Sequence, residues 1–405
     1  MTEPAEIVLG VSGGIAAYKA VDLLRRLTES GHDVTVVPTA AALRFVGTPT
    51  WAALSHHPVS SQVWDAAEGV PHVRLGRGAE LIVVAPATAD VLARAAYGMA
   101  DDLLTNTLLT ARCPVLYVPA MHTEMWEHPA TVENVDTLRR RGAIVLEPAT
   151  GRLTGADSGK GRLPEPAEIA QLVELLLRRP DGLPRDLAGR HVLISAGGTR
   201  EPLDPVRYLG NSSSGKQGYA LAVVAAARGA RVTLVAANVE LPDPSGADVV
   251  RVMSTADLRD AVHKAAQDAD VVVMAAAVAD FRPADFTAHK IKKTGGGPAP
   301  IVLRQNPDVL AELVAARRPG QVLVGFAAET GDTTGTVLEH GHAKLARKRC
   351  DLLVVNAVGD GRAFGQADNA AVILGARGTE RRVELGPKVL LAASVWDAVS
   401  SLVPG

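Results

Sequence analysis

The sequence predicts an α/β protein built from two tandem doubly wound domains. Short, continuously apolar strands alternate with helix-length segments through both halves, the pattern of parallel sheets covered on both faces. A charged stretch with Pro and Gly, Arg178–Arg190, separates the two series as a linker. The length of 405 residues suits two domains, expected at 1–185 and 186–405.

In the first half, Ile7–Val11 reads as a strand, Ile15–Glu29 as a helix closed by Gly31, and Val34–Pro38 as the next strand. Leu81–Ala85, Val115–Pro119 and Ile144–Leu146 continue that series. The second half offers Val192–Ser195, Val232–Ala237, Val271–Ala275, Leu323–Phe326 and Leu352–Val355, then short strands near Ala371–Leu374 and Val383–Leu385. A helix after Ser214 places Tyr219, Ala222, Val223 and Ala226 at i, i+3, i+4 and i+7, and Gly229 closes it.

Composition narrows the class. With 47% hydrophobic and 21% charged residues the chain is globular, and 3% aromatic content argues against a carbohydrate-binding surface. A formal charge of −2 provides no global basic field, so no nucleic-acid partner is expected. Cys113 and Cys350 give no disulfide framework and suit a reducing cytoplasm. The N-terminus lacks a basic, signal-like region, and no run of about 18 apolar residues argues for a membrane.

The chemistry gathers where strands end. Ile194–Ala222 passes from a strand through Gly-Gly into a helix, carrying Arg207, Asn211, three serines and Lys216. Serine hydroxyls, backbone N–H groups and a helix N-terminus suit a phosphorylated ligand. Gly210–Lys216 has P-loop spacing, but Gln217 stands where a P-loop needs Ser or Thr for magnesium. In the first half, Ser12 and Gly13 lie in a strand–turn–helix corner. That corner is not G-x-G-x-x-G and has no acidic ribose reader, which disfavours nicotinamide. Thr39, Pro86-Ala87-Thr88 and Met121-His122 follow other strands, at the carboxyl edge where open α/β sheets bind ligands. His72 precedes the Leu81 strand and by itself reads as structural. His122, Glu124 and His128 lack the spacing of a zinc site. The run His289–Lys293 alone reads as a solvated face or an anion patch.

These motifs resemble known families. GVSGGIAAYK, APATAD, GMADDLLTN and PAM-x-x-x-MW look like the flavin-dependent cysteine decarboxylases, trimeric FMN enzymes of flavodoxin-like fold. AGGTREPLDPVRYLGNSSSGKQGYALA, AAAVADF, KIKK, NPD and GFAAET look like the Rossmann-like phosphopantothenate–cysteine ligases. Both in this order resemble the bifunctional bacterial enzymes of coenzyme A synthesis. The resemblance implies ligation of L-cysteine to 4′-phosphopantothenate by CTP and Mg²⁺ through an acyl-cytidylate, then FMN-dependent decarboxylation to 4′-phosphopantetheine. It makes His72 the base of the decarboxylase, assigns Ser12, Gly13, Thr39 and Pro86–Thr88 to FMN, and Met121 and His122 to substrate. It makes Asn211 an oxyanion stabiliser and Arg207 a partner for phosphate or carboxylate. Lys290 reaches the triphosphate from a lid, and Lys216 recedes. Ala275, Ala276, Ala277, Asp280, Asn306, Pro307, Asp308, Val309, Phe326, Lys344 and Lys348 match further substrate-contacting positions. Metal ligands are not identified. Trimers through the first domain and dimers through the second imply a dodecamer.

Two departures stand out. His122 replaces an asparagine of the family motif, and Gly155 occupies the place of a cysteine that protonates the enethiol. Either Asp157, Ser158 or water supplies that proton, or decarboxylation stops at the oxidised product. The alternatives to a two-step enzyme are a ligase whose flavin domain no longer decarboxylates, and a flavin-binding regulatory protein.

Overall fold

The computed structural model describes residues 4–64, 70–153, 157–292, 300–329, 335–357 and 368–403. They form two compact units, Met1–Pro184 with Pro244–Gly246, and Arg185–Asp243 with Ala247–Gly405.

The first unit is built on a five-stranded parallel sheet. In spatial order its strands are Asp33–Pro38, Glu6–Val11, Leu81–Ala87, Val115–Pro119 and Ile144–Val145. The order 2-1-3-4-5 is flavodoxin-like, and it reverses direction between Glu6–Val11 and Leu81–Ala87. Every residue of Leu81–Ala87 is buried, as expected of a central strand covered on both faces. Helix Ala17–Glu29 turns Ala17, Ala20, Leu23, Leu24 and Leu27 inward, and it packs beside helix Pro166–Arg178. Each such leucine contributes about 1.5–3 kcal/mol by burial. Ala149–Arg152 pairs antiparallel with Ser158–Arg162 as a separate hairpin.

The second unit carries eight strands. Six are parallel, in the spatial order Ala247–Val252, Arg231–Ala237, His191–Gly197, Val271–Met274, Val322–Glu329 and Leu352–Ala357. Asp368–Gly375 and Glu380–Pro387 continue the sheet antiparallel. The parallel part is 3-2-1-4-5-6, the Rossmann order, with its switch point between His191–Gly197 and Val271–Met274. Helices Lys216–Ala227 and Lys388–Ser400 pack together, and the Trp396 indole N–H donates to the Leu221 carbonyl at 3.0 Å. Arg228, 1% exposed, closes this face by pairing with Asp186 and, at 2.9 Å, with Asp397.

The sequence-based elements are present, with shifted ends. The first helix starts at Ala17 rather than Ile15, and Ala275 lies beyond its strand. Pro86 and Ala87 belong to a strand rather than to the loop after it. Edge strand Ala247–Val252 and two small ribbons, Arg200–Pro202 with Tyr208–Gly210 and Phe281–Pro283 with Leu303–Gln305, were not anticipated. Among the described residues no helix is long and apolar enough to cross a membrane.

Candidate functional site

In the first unit the switch point is stitched by one hydroxyl. Buried Ser12 donates from Oγ to the Pro86 carbonyl at 2.7 Å and accepts from the Thr88 N–H at 3.0 Å. Thr88 in turn caps helix Ala89–Tyr97, its Oγ1 accepting from Val91 N–H. Thr39 donates from its backbone to Val11 and accepts at Oγ1 from Ala42 N–H. A methyl at Gly13 would lie 2.3 Å from Ala41 Cβ, so these two loops approach too closely for any side chain. Ser12, Gly13, Thr39, Pro86, Ala87 and Thr88 thus gather at adjoining strand ends, a small-residue edge beside helix N-termini that suits a phosphate-bearing ligand.

His72 sits in helix Pro71–Gly78, with its carbonyl accepting from Thr110 Oγ1 at 2.7 Å. Its Nδ1 is buried and has no hydrogen-bond partner among the described residues. A buried imidazole nitrogen left unpaired fits a role toward a bound molecule.

Met121 and His122 follow strand Val115–Pro119, and His122 heads the short helix Thr123–Trp126. The hairpin lies against them. Met121 N–H donates to the Gly161 carbonyl at 3.0 Å, and a methyl at Gly161 would stand 2.0 Å from the Met121 oxygen. Ion pairs fix the hairpin's second strand, Lys160 to Glu147 at 2.6 Å and Arg162 to Glu165 at 3.0 Å. Burial opposes ionisation of Glu147, but Lys160 and Arg139 outweigh it and hold the carboxyl below its ordinary range. Asp157 is exposed at the start of that strand, its carbonyl accepting from Leu153 N–H. Gly155 lies outside the described residues. Burial pushes the Cys113 thiol up, and that of Cys350 up to about 11, so neither is a ready thiolate.

In the second unit a cavity of about 600 Å³ opens at the carboxyl ends of the central strands. Asn211, the serines Ser212–Ser214 and the first turn of helix Lys216–Ala227 form one wall. Ala275, Ala276, Ala277 and Asp280 form the floor beyond strand Val271–Met274. Asn306, Pro307, Asp308 and Val309 line another side, with Phe326, Lys344 and Lys348. The floor is tied to the Gly-Gly turn. Ala276 N–H donates to Ser195 Oγ at 3.2 Å, Ala277 N–H to the Gly197 carbonyl at 2.7 Å, and Ala279 N–H to Thr199 Oγ1 at 2.9 Å. Asn306 is a brace, its Nδ2 donating to Ala279 O at 2.9 Å and its Oδ1 accepting from Arg282. Asn211 Nδ2 donates to Val278 O at 2.9 Å, leaving its second amide hydrogen for a ligand.

Arg207 and Lys290 stand apart from the described lining. Arg207 donates to Asp204 Oδ2 through Nε and Nη2 and to the Ile291 carbonyl at 2.9 Å, and Asp204 Oδ2 also accepts from Ile291 N–H at 3.1 Å. The guanidinium, aided by three backbone N–H donors, holds Asp204 far below the ordinary carboxylate range. Arg207 therefore anchors the root of the lysine arm, a use that the sequence reading did not foresee. Lys290 and Lys292 are exposed, and Lys293 lies outside the described residues. Lys216, which the sequence reading set aside, lines the cavity, as do Gln217, Asn356, Asn369 and Lys388. Nothing in their local sequence distinguishes the last three from ordinary strand-end and helix-start residues.

A flavodoxin-order sheet with a phosphate-type edge, joined in one chain to a Rossmann-order sheet with a polar cavity, defines a two-site α/β protein. The comparisons agree. Residues 1–178 match the Flavoprotein family, and residues 187–402 match the DNA/pantothenate metabolism flavoprotein C-terminal domain. The coenzyme A biosynthesis bifunctional protein CoaBC of Mycobacterium tuberculosis is 62% identical over 99% of this chain and 98% of that protein. Those of Mycolicibacterium smegmatis, 61% identical over 100% and 99%, and Bacillus subtilis, 41% over 99% and 98%, align equally fully. The chain belongs to this family of bifunctional coenzyme A biosynthesis enzymes, which join a decarboxylase to a ligase.

Proposed function

We propose that residues 186–405 ligate L-cysteine to 4′-phosphopantothenate at the expense of CTP, and that residues 1–185 decarboxylate the product with FMN. The observation that carries the reading is the second cavity, where Asn211, the Ala275–Ala277 floor, Asp280 and the Asn306–Val309 side converge. A carboxylate must become an electrophile before an amine attacks it. The free amide hydrogen of Asn211 donates to oxygen as charge builds there during acyl-cytidylate formation, and Phe326, Lys344 and Lys348 hold the nucleotide. Lys290 closes over the triphosphate from the root fixed by Arg207. Mg²⁺ accompanies the triphosphate and offsets its charge.

In the first domain the crowded Gly13 turn and the Ser12–Thr88 edge fit the phosphate end of FMN, and the unpaired His72 Nδ1 fits a reacting group. FMN supplies the electron sink that a cysteine carboxylate lacks. His72 takes the proton from the substrate's CH2–SH group, Met121 and His122 orient the substrate, and the hairpin excludes water. Asp157, Ser158 or water returns the last proton in place of the cysteine replaced by Gly155. The protein works in the cytoplasm as a dodecamer, with trimer contacts in the first domain and dimer contacts in the second.

One sample measured for flavin absorbance, CO2 release and CMP formation tests the whole reading. Mass spectrometry of the product separates phosphopantetheine, the expected outcome, from an enethiol, which identifies a stalled decarboxylase. No CTP-dependent pyrophosphate release at saturating substrates and Mg²⁺ leaves only a flavin-binding role.

A further inference from the structure

The described wall of the second cavity holds four lysines, and their charges are treated differently. Lys344 pairs with Glu329 at 2.8 Å, and Lys348 pairs with Asp308. Lys388 has no such neutraliser. It is 8% exposed, its Nζ donates to the Asp368 carbonyl at 3.2 Å, and no carboxylate among the described residues lies within ion-pair range. Burial, then the charge of Lys216, push its ammonium below the ordinary lysine range against the weaker pull of the Asp368 carboxylate. A buried cation held without a direct ion pair is unfavourable, and the fold nevertheless keeps this one in place. Gln217 Nε2 donates to the Lys388 carbonyl at 3.2 Å, and Asn369 Nδ2 donates to Gln217 Oε1 at 3.0 Å. Lys216 begins a 12-residue helix whose first turn lines the same cavity, adding the positive end of its dipole. Beside them the Oδ1 atoms of Asn356 and Asn369 are buried without partners among the described residues, acceptors for a ligand's donor groups.

We propose that Lys388 and Lys216 form the phosphate-binding end of this cavity. Two N–H donors of Lys388 remain after the bond to Asp368, enough to grip two oxygens of a phosphate group. The site rests on the ligase reading given above, which offers two sources of that chemistry. One is the terminal phosphates of the nucleotide, which leave as pyrophosphate. The other is the phosphate monoester of phosphopantothenate.

The test uses the full-length protein and its Lys388→Met and Lys216→Gln variants, each checked for native thermal unfolding. Steady-state pyrophosphate release gives KM for each substrate, and calorimetry gives the affinity for inorganic pyrophosphate. A rise of about tenfold or more in KM for CTP, with matching weakening of pyrophosphate, assigns the site to the nucleotide. The same rise in KM for phosphopantothenate alone assigns it to the monoester. If Lys388→Met does not fold, Lys216→Gln, at a half-buried position, decides in the same way. Folded variants that leave both KM values and pyrophosphate affinity within about twofold of wild type overturn the proposal. Wild-type protein that binds pyrophosphate but releases none from CTP refutes the ligase reading while leaving the anion site standing.

Discussion

Adding one methyl group at Gly161 should separate the two activities of the chain. The Cβ of Gly161→Ala would stand 2.0 Å from the Met121 carbonyl oxygen, with the Met121 and His122 carbonyl carbons at 3.2 and 3.4 Å. All three are backbone atoms, so no side chain can swing away. Ordinary contact starts near 3.4 Å, so the hairpin and the Met121 segment must part by about 1.4 Å. The Met121 N–H···O bond to Gly161, 3.0 Å long, is lost with that movement, at a cost of about 1 kcal/mol. The larger effect is positional, because about 1 Å of misplacement at a reacting centre costs on the order of 100-fold in rate. Decarboxylation should therefore fall about 100-fold, roughly 3 kcal/mol, while the second domain is untouched. Single-turnover CO2 release from phosphopantothenoylcysteine measures the first activity, and CTP-dependent pyrophosphate release from the same sample is the internal control. A Gly161→Ala protein that decarboxylates at the wild-type rate would falsify the placement of the hairpin over the substrate. A parallel fall in both activities would instead indicate general unfolding.

Three further outcomes follow from the same structure. His72→Asn should lower decarboxylation at least about 100-fold while flavin absorbance is retained, and an active, flavin-loaded variant removes His72 from the mechanism. Arg228→Met removes the buried cation from Asp186 and from Asp397, which keeps Arg381 at 3.1 Å, and should destabilise the second domain by about 1.5–3 kcal/mol in urea unfolding. Asp204 has its carboxyl depressed in the folded state, so its stabilisation is complete above the unfolded value of about 3.9 and is lost as pH falls through the folded one. Asp204→Asn should flatten that part of the acid limb in melting temperature against pH, and an unchanged limb contradicts the assignment.

The central strands were legible because they are buried on both faces and therefore apolar throughout, as in Leu81–Ala87 and His191–Gly197. Their ends were less so, since a strand continues by backbone pairing after its side chains turn small or polar, as Val322–Glu329 does at Glu329. Ala247–Val252 escaped notice because an edge strand is only half covered, and the two ribbons because strands of three residues carry no periodicity. The resemblance identified residues such as Phe326 and Asp308, which hydrophobic pattern alone would have left in the core or at a helix cap. Neither route reached Lys388, since a lysine opening a helix after proline has nothing unusual in its sequence. Only the folded chain shows that it is buried and, among the described residues, without an ion pair. Arg207 illustrates the converse, a residue expected to meet a ligand's phosphate or carboxylate and found bonded to the chain's own Asp204 and Ile291.

That clamp bears on the lid proposed for Lys290. Both backbone polar groups of Ile291 are bonded, one to Asp204 and the other to Arg207, so the chain is fixed one residue from Lys290. A freely moving arm loses about 1–2 kcal/mol of backbone entropy for every residue ordered on closing. Here that ordering at the root was completed when the domain folded, and mainly the Lys290 side chain, worth about 2 kcal/mol, remains to be fixed. If Lys290 takes the triphosphate as proposed, more of the attraction between its ammonium and the phosphates is then retained as affinity.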